Sequence, residues 1–261
     1  MKRVIVVFFS LFLFLFSAGA EAKDLDSLIV RVGRKMASCQ RNFDYTCLVS
    51  AKEYKMDKHW KPKATKSIEK RLIKNGDEAY FDVIKAMEIK KDEEKDITEE
   101  VRKEYNSARE KAKEEAEMEN EDKDNGEEEG GRRGISMTME DLDPFGEARR
   151  ELYNFLALPD TISEGQRYFR VKTMAIEPSD KVFEGEYWIN PETHAIVIAD
   201  LHPSKNPKMV SELKMRFRFE EIGEGRWMPR KIWTHIYVNL LIKKIRVETE
   251  EVYSDYHFED T

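Results

Sequence analysis

The last hundred residues of the chain alternate apolar and polar side chains, and this alternation constrains the fold more than any other feature. The clearest example is Leu213-Lys-Met-Arg-Phe-Arg-Phe-Glu, in which every second residue is apolar. In a strand, Leu213, Met215, Phe217 and Phe219 would point one way and the charged residues between them the other. Strands of this kind predict an antiparallel sheet with one wet face and one apolar face.

Similar segments recur along the chain, separated by residues that favour turns. Asn75-Gly76-Asp77 is a strong signal of a short hairpin, and Asn190-Pro191-Glu192 and Gly223-Glu224-Gly225 are further turn signals. The predicted strands are Tyr45 to Lys55, Thr65 to Lys74, Glu78 to Lys85, Arg167 to Glu177, Val182 to Asn190, Thr193 to Leu201, Glu212 to Ile222, Arg226 to Asn239 and Ile242 to Phe258.

Two segments have the apolar spacing of amphipathic helices. The first predicted helix runs from about Asp24 to Ser38, and its apolar stripe is Leu25, Leu28, Ile29, Val32 and Met36. The second begins with Asp143 as N-cap and Pro144 as first helical residue and ends before Pro159. Its apolar stripe is Phe145, Ala148, Leu152, Phe155 and Leu156.

About nine one-sided strands and two helices limit the architecture, because two helices cannot cover a flat sheet of that width. A long twisted sheet tends to curl. We therefore expect an α+β, mainly β fold: a strongly curved antiparallel sheet, an unclosed half-barrel, with two amphipathic helices covering the concave face. A concave apolar trough of this kind can hold an apolar ligand.

The amino terminus has the pattern of a secretory signal peptide. Lys2 and Arg3 precede an apolar run from Val4 to Phe16, and small residues follow it. The alternative is an uncleaved membrane anchor, but a run of about 13 residues is short of the ~20 that span a bilayer. We expect residues 1–22 to be removed and residues 23–261 to form one soluble periplasmic domain.

A charged insert interrupts the predicted meander at about residues 88–134. Glu88 to Gly131 contains 19 acidic and 9 basic residues, so this segment holds a net charge of −10. It contains few apolar side chains, among them Ile97, Val101 and Tyr105. A solvated helix over Glu99 to Glu117 and a disordered tract from Glu119 to Gly134 are expected. The rest of the exported chain then has a net charge of about +2, with no dense basic stripe that would indicate nucleic-acid binding.

The order of elements, together with two motifs, resembles the periplasmic lipoprotein-carrier superfamily that includes LolA and LolB. The motifs are Val182-Phe-Glu-Gly-Glu-Tyr-Trp-Ile-Asn-Pro-Glu-Thr-His-Ala-Ile-Val and the pair Phe217-Arg-Phe-Glu-Glu-Ile and Arg226-Trp-Met-Pro-Arg. The resemblance covers about residues 24–87 and 143–258. It implies an unclosed barrel with helices as lids, and sequestration of lipid, acyl chains or a lipidated partner.

Aromatic and aliphatic side chains of the predicted sheet are the candidate ligand contacts. The candidates on the concave face are Leu213, Met215, Phe217, Phe219, Trp227 and Trp233. The alternative is that these side chains are plain core beneath the helices.

Cys39 and Cys47 are the only cysteines, eight positions apart between the first helix and the first strand. Export to an oxidising compartment favours a structural disulfide between them. The alternatives are two free thiols or a redox pair, although the Cys-x-x-Cys spacing of redox motifs does not occur.

No motif predicts catalysis, a metal or a cofactor. His59, His194, His202, His235 and His257 lie in separate segments without the paired spacing of zinc ligands. The chain contains neither a Gly-x-Ser-x-Gly elbow nor a complete phosphate-binding loop. We therefore expect a non-enzymatic protein without a cofactor.

Two functions remain. The first is a soluble periplasmic binding or carrier protein for a lipid, a lipidated protein or another apolar ligand on the concave face. The second is an envelope interaction or sensor module that uses the same scaffold, or the acidic insert, to contact a protein partner without holding a small ligand.

Overall fold

The structure is a computed structural model that describes residues 25–39, 43–76, 78–122, 142–223, 225–240 and 243–259. The predicted signal peptide lies outside the described residues. So do Asp77 of the predicted hairpin turn and most of the predicted acidic tract.

The described elements are two helices, a short 3-10 helix and eleven strands. Helix α1 covers residues 25–39, α2 covers Thr98–Asp122, and the 3-10 helix covers Arg150–Leu152. The strands are β1 Tyr45–Met56, β2 Pro62–Asn75, β3 Glu78–Lys90, β4 Glu93–Asp96, β5 Tyr153–Ser163, β6 Gln166–Ala175, β7 Phe183–Ile189, β8 Ile196–Pro203, β9 Val210–Glu221, β10 Trp227–Asn239 and β11 Lys244–Phe258.

The elements divide between two compact units. The smaller unit contains α1, the 3-10 helix and strands β5 to β8, and the larger one contains β1 to β4, α2 and β9 to β11. The strand order is β8-β7-β6-β5 in the smaller unit and β4-β3-β2-β1-β11-β10-β9 in the larger unit. All of these pairings are antiparallel.

Helix α1 packs closely against the turn that follows residue 142 in the smaller unit. Ile29 and Val32 on its apolar stripe are buried. A β-carbon on Gly33 would lie 2.3 Å from the backbone oxygen of Phe145. Because only a residue without a side chain fits there, Gly33 allows the helix to contact the backbone of this turn directly.

The predicted fold class is confirmed. The chain is mainly β, its strands are antiparallel and their order is unclosed, and two helices accompany them. All nine predicted strands occur, with boundaries shifted by a few residues. The prediction that residues 23–261 form a single domain stays a prediction.

The predicted second helix is wrong. Instead of a helix from Asp143, the chain forms a turn, the 3-10 helix Arg150–Leu152 and strand β5. Tyr153, Phe155 and Ala157 pair with Ala175, Thr173 and Val171 of β6. Val171 and Thr173 are fully buried, so pairing along β6 outweighs the local helical spacing.

The second helix lies inside the charged insert. Helix α2 includes the predicted helical stretch Glu99 to Glu117, but it is not wholly solvated, because Ile97 and Val101 at its start are buried. The insert also begins later than predicted, since β3 extends to Lys90 and is followed by β4.

The structure does not confirm the predicted disulfide. No disulfide joins Cys39 and Cys47, both of which the structure describes, and Cys47 is buried in the larger unit.

Candidate functional site

One face of the larger unit's sheet forms an apolar surface that can be followed from strand to strand. Residues paired directly across antiparallel strands point to the same face. One continuous row of such pairs is Phe217, Ile232, Glu251, Ala51, Ile68 and Ala86. Ile68 and Ala86 share a core cluster with Ile97 and Val101, next to and within α2, and we call this side of the sheet the helix-facing side.

Most of the predicted ligand contacts lie on the helix-facing side. Leu213, Met215, Phe217 and Phe219 alternate with charged residues along β9 and are buried, with exposures from 3% to 9%. Trp227 pairs with Glu221, two residues beyond Phe219, and therefore points to the same face. The structure thus brings five of the six predicted residues together.

Trp233 lies on the opposite face. It pairs with Arg216 on β9 and with Glu250 on β11, and both of these residues point away from the helix-facing side. The aromatic content of β10 suggested a single apolar row, but Trp233 and Ile232 are neighbours in sequence and must point to opposite sides.

Helix α2 runs along β3 through a single stripe of side chains. Thr98 Oγ1 accepts a hydrogen bond from the Ala86 amide at 3.0 Å, and Arg102 donates to the Val83 carbonyl oxygen at 2.9 Å. The Tyr105 ring meets the Phe81 ring edge-on. Further along, the Arg109 guanidinium lies 3.6 Å from the centre of the Tyr80 ring. These contacts follow β3 from near its end back toward its start.

The stripe that anchors α2 was visible in the sequence. Ile97, Val101 and Tyr105 are spaced four residues apart, which places them on one face of a helix. The many charged residues around them made this pattern hard to recognise. The contacts of α2 with the sheet that the structure describes end at Arg109.

A buried ion pair lies at the boundary between α2 and the sheet. Lys70, 3% exposed, donates from Nζ to Glu251 Oε1 at 2.7 Å and to the Tyr105 hydroxyl at 3.1 Å. Tyr253 donates its hydroxyl proton to the other oxygen of Glu251, at 2.7 Å. The ammonium group also lies 3.8 Å from the centre of the Phe81 ring, which adds a cation–π contact.

The partners of Lys70 keep it charged in spite of its burial. Burial alone would lower its pKa, but the nearby Glu251 carboxylate and the Tyr105 hydroxyl outweigh that effect and raise it. For Tyr253, burial and then the charge of Glu251 raise the pKa strongly, so its hydroxyl stays protonated. The cluster is therefore an ion pair without net charge that is hydrogen-bonded to the hydroxyl groups of Tyr105 and Tyr253.

Cys47 lies near this cluster on the same side of the sheet. It packs with Val49 and Tyr253, and burial raises the pKa of its thiol to about 11 in spite of a hydrogen bond with Tyr256. At neutral pH the group is a protonated thiol, and its position is that of a core residue.

The opposite face of the same sheet carries a group of aromatic and charged residues around His235. The Trp60 ring stacks on the imidazole with the ring centres 4.2 Å apart. Glu248 lies 3.1 Å from Nδ1, and Glu212 lies 3.5 Å from Nε2. The two carboxylates meet different ring nitrogens and do not converge on one point. This arrangement fastens the turn between β1 and β2 to β10, and no pattern in the sequence predicted it.

Two further properties concern the chemistry of the described residues. Within the ranges given above, no three His, Cys, Asp or Glu side chains are grouped so that they could hold a metal ion. No helix in those ranges is long and apolar enough to cross a membrane.

Comparisons with known proteins locate similarity at the level of a family and a fold. Residues 136–256 match a family of unknown function, DUF5686. A search of the curated proteins found no match.

Several solved structures are similar to the chain. A putative outer membrane lipoprotein-sorting protein domain from Vibrio parahaemolyticus is 11% identical, with a TM-score of 0.40 over 88% of this chain and 92% of that one. A LolA superfamily protein from Nitrosomonas europaea is 12% identical, with a TM-score of 0.39 over 88% and 93%. A DUF1329 family protein from Desulfovibrio piger is 12% identical, with a TM-score of 0.39 over 88% and 92%.

Proposed function

We propose that this chain is a soluble periplasmic binding or carrier protein that holds a lipid, a lipidated protein or another apolar ligand. The ligand lies against the helix-facing side of the larger unit's sheet, in the place that α2 covers. Export by a signal peptide at residues 1–22 belongs to the same proposal.

The observation that carries the proposal is the continuity of the apolar surface. The helix-facing side extends from β3 to β9 through paired residues, across register shifts in the β2–β3 and β9–β10 pairings among others, and it includes the β9 row from Leu213 to Phe219. The row from Phe217 through Ile232, Ala51 and Ile68 to Ala86 is apolar except at Glu251, which is a usual composition of a site for an apolar ligand. The next row on the same face is polar between β10 and β3, where it consists of Thr234, Thr249, Glu53, Lys66 and Glu88.

The energetics of the α2 contact allow a ligand to displace the helix. The apolar contacts of α2 and its first turn are Ile97, Val101 and Tyr105. Burial of three such side chains contributes about 5 to 9 kcal/mol before the entropy of ordering the helix is subtracted. An acyl chain contributes about 0.8 kcal/mol for each buried methylene. A chain of about ten methylenes therefore matches the contact it would replace.

Displacement of α2 also leaves the buried ion pair intact. Lys70 and Glu251 both belong to the sheet, so their ion pair does not depend on the helix. Of the hydrogen bonds of Lys70, only the one to Tyr105 would be lost, and water or a ligand oxygen can replace it. The contacts of Arg102 and Arg109 with β3 would also be broken, and water can replace the hydrogen-bonded ones.

A reversible tether between α2 and β3 tests the proposal. In a Val83→Cys, Val101→Cys variant, oxidation would lock the helix onto the sheet and reduction would release it. We expect the oxidised form to bind an anthracene-labelled long-chain fatty acid about tenfold more weakly or worse than the reduced form. The single variant Val101→Cys, treated in the same way, is the matched control. Equal binding by the locked and released forms would exclude α2 as the cover of the site.

The acidic part of α2 supports a second candidate function, contact with a protein partner. Beyond Arg109, residues 110–122 contain seven acidic residues and two lysines. A segment of this composition attracts a cationic surface of a partner.

Neutralising acidic side chains of α2 distinguishes ligand binding from protein contact better than deleting the insert does. Removal of residues 90–132 would also remove β4 and the anchored turns of α2. Replacement of Glu114, Glu115, Glu117 and Glu119 by Gln keeps the anchor. Loss of an envelope partner with unchanged fatty-acid binding would assign the segment to protein contact. Retention of every partner would exclude that role.

A further inference from the structure

Strand β5 is the terminal strand of the smaller unit's sheet. It pairs with β6 along one edge, and within the described residues no strand pairs with its other edge. The strand is 11 residues long. The free amides and carbonyls of a terminal strand of this length can form a ladder with another strand.

Apolar side chains are exposed along β5 and next to it. Seven large apolar residues are exposed among the described residues, and four of them lie on or beside this strand: Leu152, Leu156, Ile162 and Ile176, with exposures from 44% to 75%. The larger unit has a terminal strand, β4, that is charged where β5 is apolar. Strand β4 is four residues long, and its residues, Glu-Glu-Lys-Asp, are all charged and exposed. A short charged edge discourages pairing, whereas in β5 a proline, a charge and a register shift occur only from Pro159 onward, and the stretch before it has none of them.

The charge of β5 identifies the kind of partner. Asp160 is the only charged residue in the strand, and it pairs with Arg167, whose Nε lies 2.7 Å from Oδ2. The edge therefore has no net charge. A cationic or anionic partner would gain nothing there, but a strand of the same uncharged, apolar composition can approach without repulsion.

We propose that β5 is a dimerisation edge that pairs with β5 of a second copy of this chain. The pairing is antiparallel about a two-fold axis near Leu156, which makes the interface self-complementary. Leu156 of each copy then lies beside its equivalent, and Leu158 faces Asn154 of the other copy. The paired stretch is Asn154–Leu158, which is symmetric about Leu156. It ends there because the register with β6 breaks between Leu158 and Thr161 and Pro159 has no amide hydrogen to donate.

The oligomeric state tests this inference independently of ligand binding, because β5 and the helix-facing side belong to different units. We expect the protein, purified as its cells process it, to shift from one to two chain masses in light scattering over about a hundredfold range of concentration. Leu156→Lys should remain at one chain mass. Ile84→Lys changes an equally exposed residue on β3 and should dimerise like the wild type.

Hydrogen exchange on the wild type keeps the test informative if Leu156→Lys fails to fold. Amides within Asn154–Leu158 should exchange more slowly in the dimer than in the diluted monomer. A wild type that stays monomeric, or a dimer without protection at these residues, would overturn the inference. It would also be overturned if Ile84→Lys abolished the dimer as completely as Leu156→Lys.

Discussion

The ion pair of Lys70 and Glu251 is an interaction whose disruption should be costly, because one of its charges lies inside the larger unit. Lys70 is almost fully buried, while the Glu251 side chain is 23% exposed. A buried ion pair contributes little relative to an apolar pair of the same shape, but removal of one partner leaves the other charge in an apolar environment. This asymmetry and the buried thiol of Cys47 nearby each lead to a prediction about stability.

Replacement of Lys70 by Met should destabilise the fold by about 2 to 4 kcal/mol, since Glu251 would keep its charge without its cation. Urea unfolding followed by circular dichroism measures the loss. Addition of Glu251→Gln should recover part of it. The control is Arg167→Met, in an exposed pair with Asp160, where about 1 kcal/mol or less is expected. Similar losses at both sites would show that the Lys70 pair is not effectively buried.

Cys47 predicts a loss of stability at alkaline pH. Its pKa is raised from 9.0 to about 11, so the folded state favours the protonated thiol. The resulting contribution is fully present below about pH 9 and is lost as the pH rises through about 11. Over that interval the wild type should lose about 2 to 3 kcal/mol more than Cys47→Ala. The measurement is the free energy of unfolding as a function of pH, and parallel curves for the two proteins would contradict the assignment.

At the scale of elements, nine of the eleven described strands and the helical stretch of the insert could be predicted from the sequence, whereas β4, β5 and the packing of α2 against the sheet could not. Alternation along β9 is unambiguous because one face is buried and the other is charged. Residues 153–157, in contrast, fit both patterns: Phe155 and Leu156 belong to a helical stripe, while Tyr153, Phe155 and Ala157 alternate. Only the pairing with β6 decides between them, and the local sequence of residues 153–157 does not contain that information.

Part of the candidate site could likewise be predicted from the sequence. Its β9 row follows from alternation alone, whereas the face of Trp233 depends on the register with β9 and β11. The position of α2 over Ile68 and Ala86 depends on tertiary packing that a charge-dominated segment conceals.

The anchoring of α2 leads to a prediction for Val101. Val101→Ala should lower stability by about 1 to 2 kcal/mol through the cavity it leaves in the cluster with Val83 and Ala86. Amides of α2 up to Arg109 should then exchange faster with solvent. Glu104→Ala, an exposed position on the same helix, is the matched control and should leave that exchange unchanged. Faster exchange in both variants would show that α2 is not held by its apolar stripe.

At the scale of the whole molecule, the sheet of the larger unit has a proposed ligand face and an opposite face. Phe217→Ala should both destabilise the fold, by about 3 to 5 kcal/mol, and weaken binding of the labelled fatty acid. Trp233→Ala should leave that binding unchanged, because the ring lies on the opposite face. Fluorescence titration of both variants under conditions where they are folded checks the difference. Loss of binding in Trp233→Ala would place the ligand on the other side of the sheet.

The negative charge of the chain belongs to one segment and not to the whole molecule. The net charge of −7 comes from the insert, and that insert supplies both a covering helix and an acidic segment. The segment that seemed least able to join a core therefore forms the boundary of the candidate site.

The central claim is that the helix-facing side holds an apolar ligand in the cell. Native mass spectrometry of the protein isolated from its own envelope, followed by lipid extraction, tests it most directly. We predict a bound amphiphile that is retained by the wild type and by Trp233→Ala and is lost from the oxidised α2 tether. Wild-type protein that carries no amphiphile, and that takes up none when offered envelope lipids, would contradict the claim.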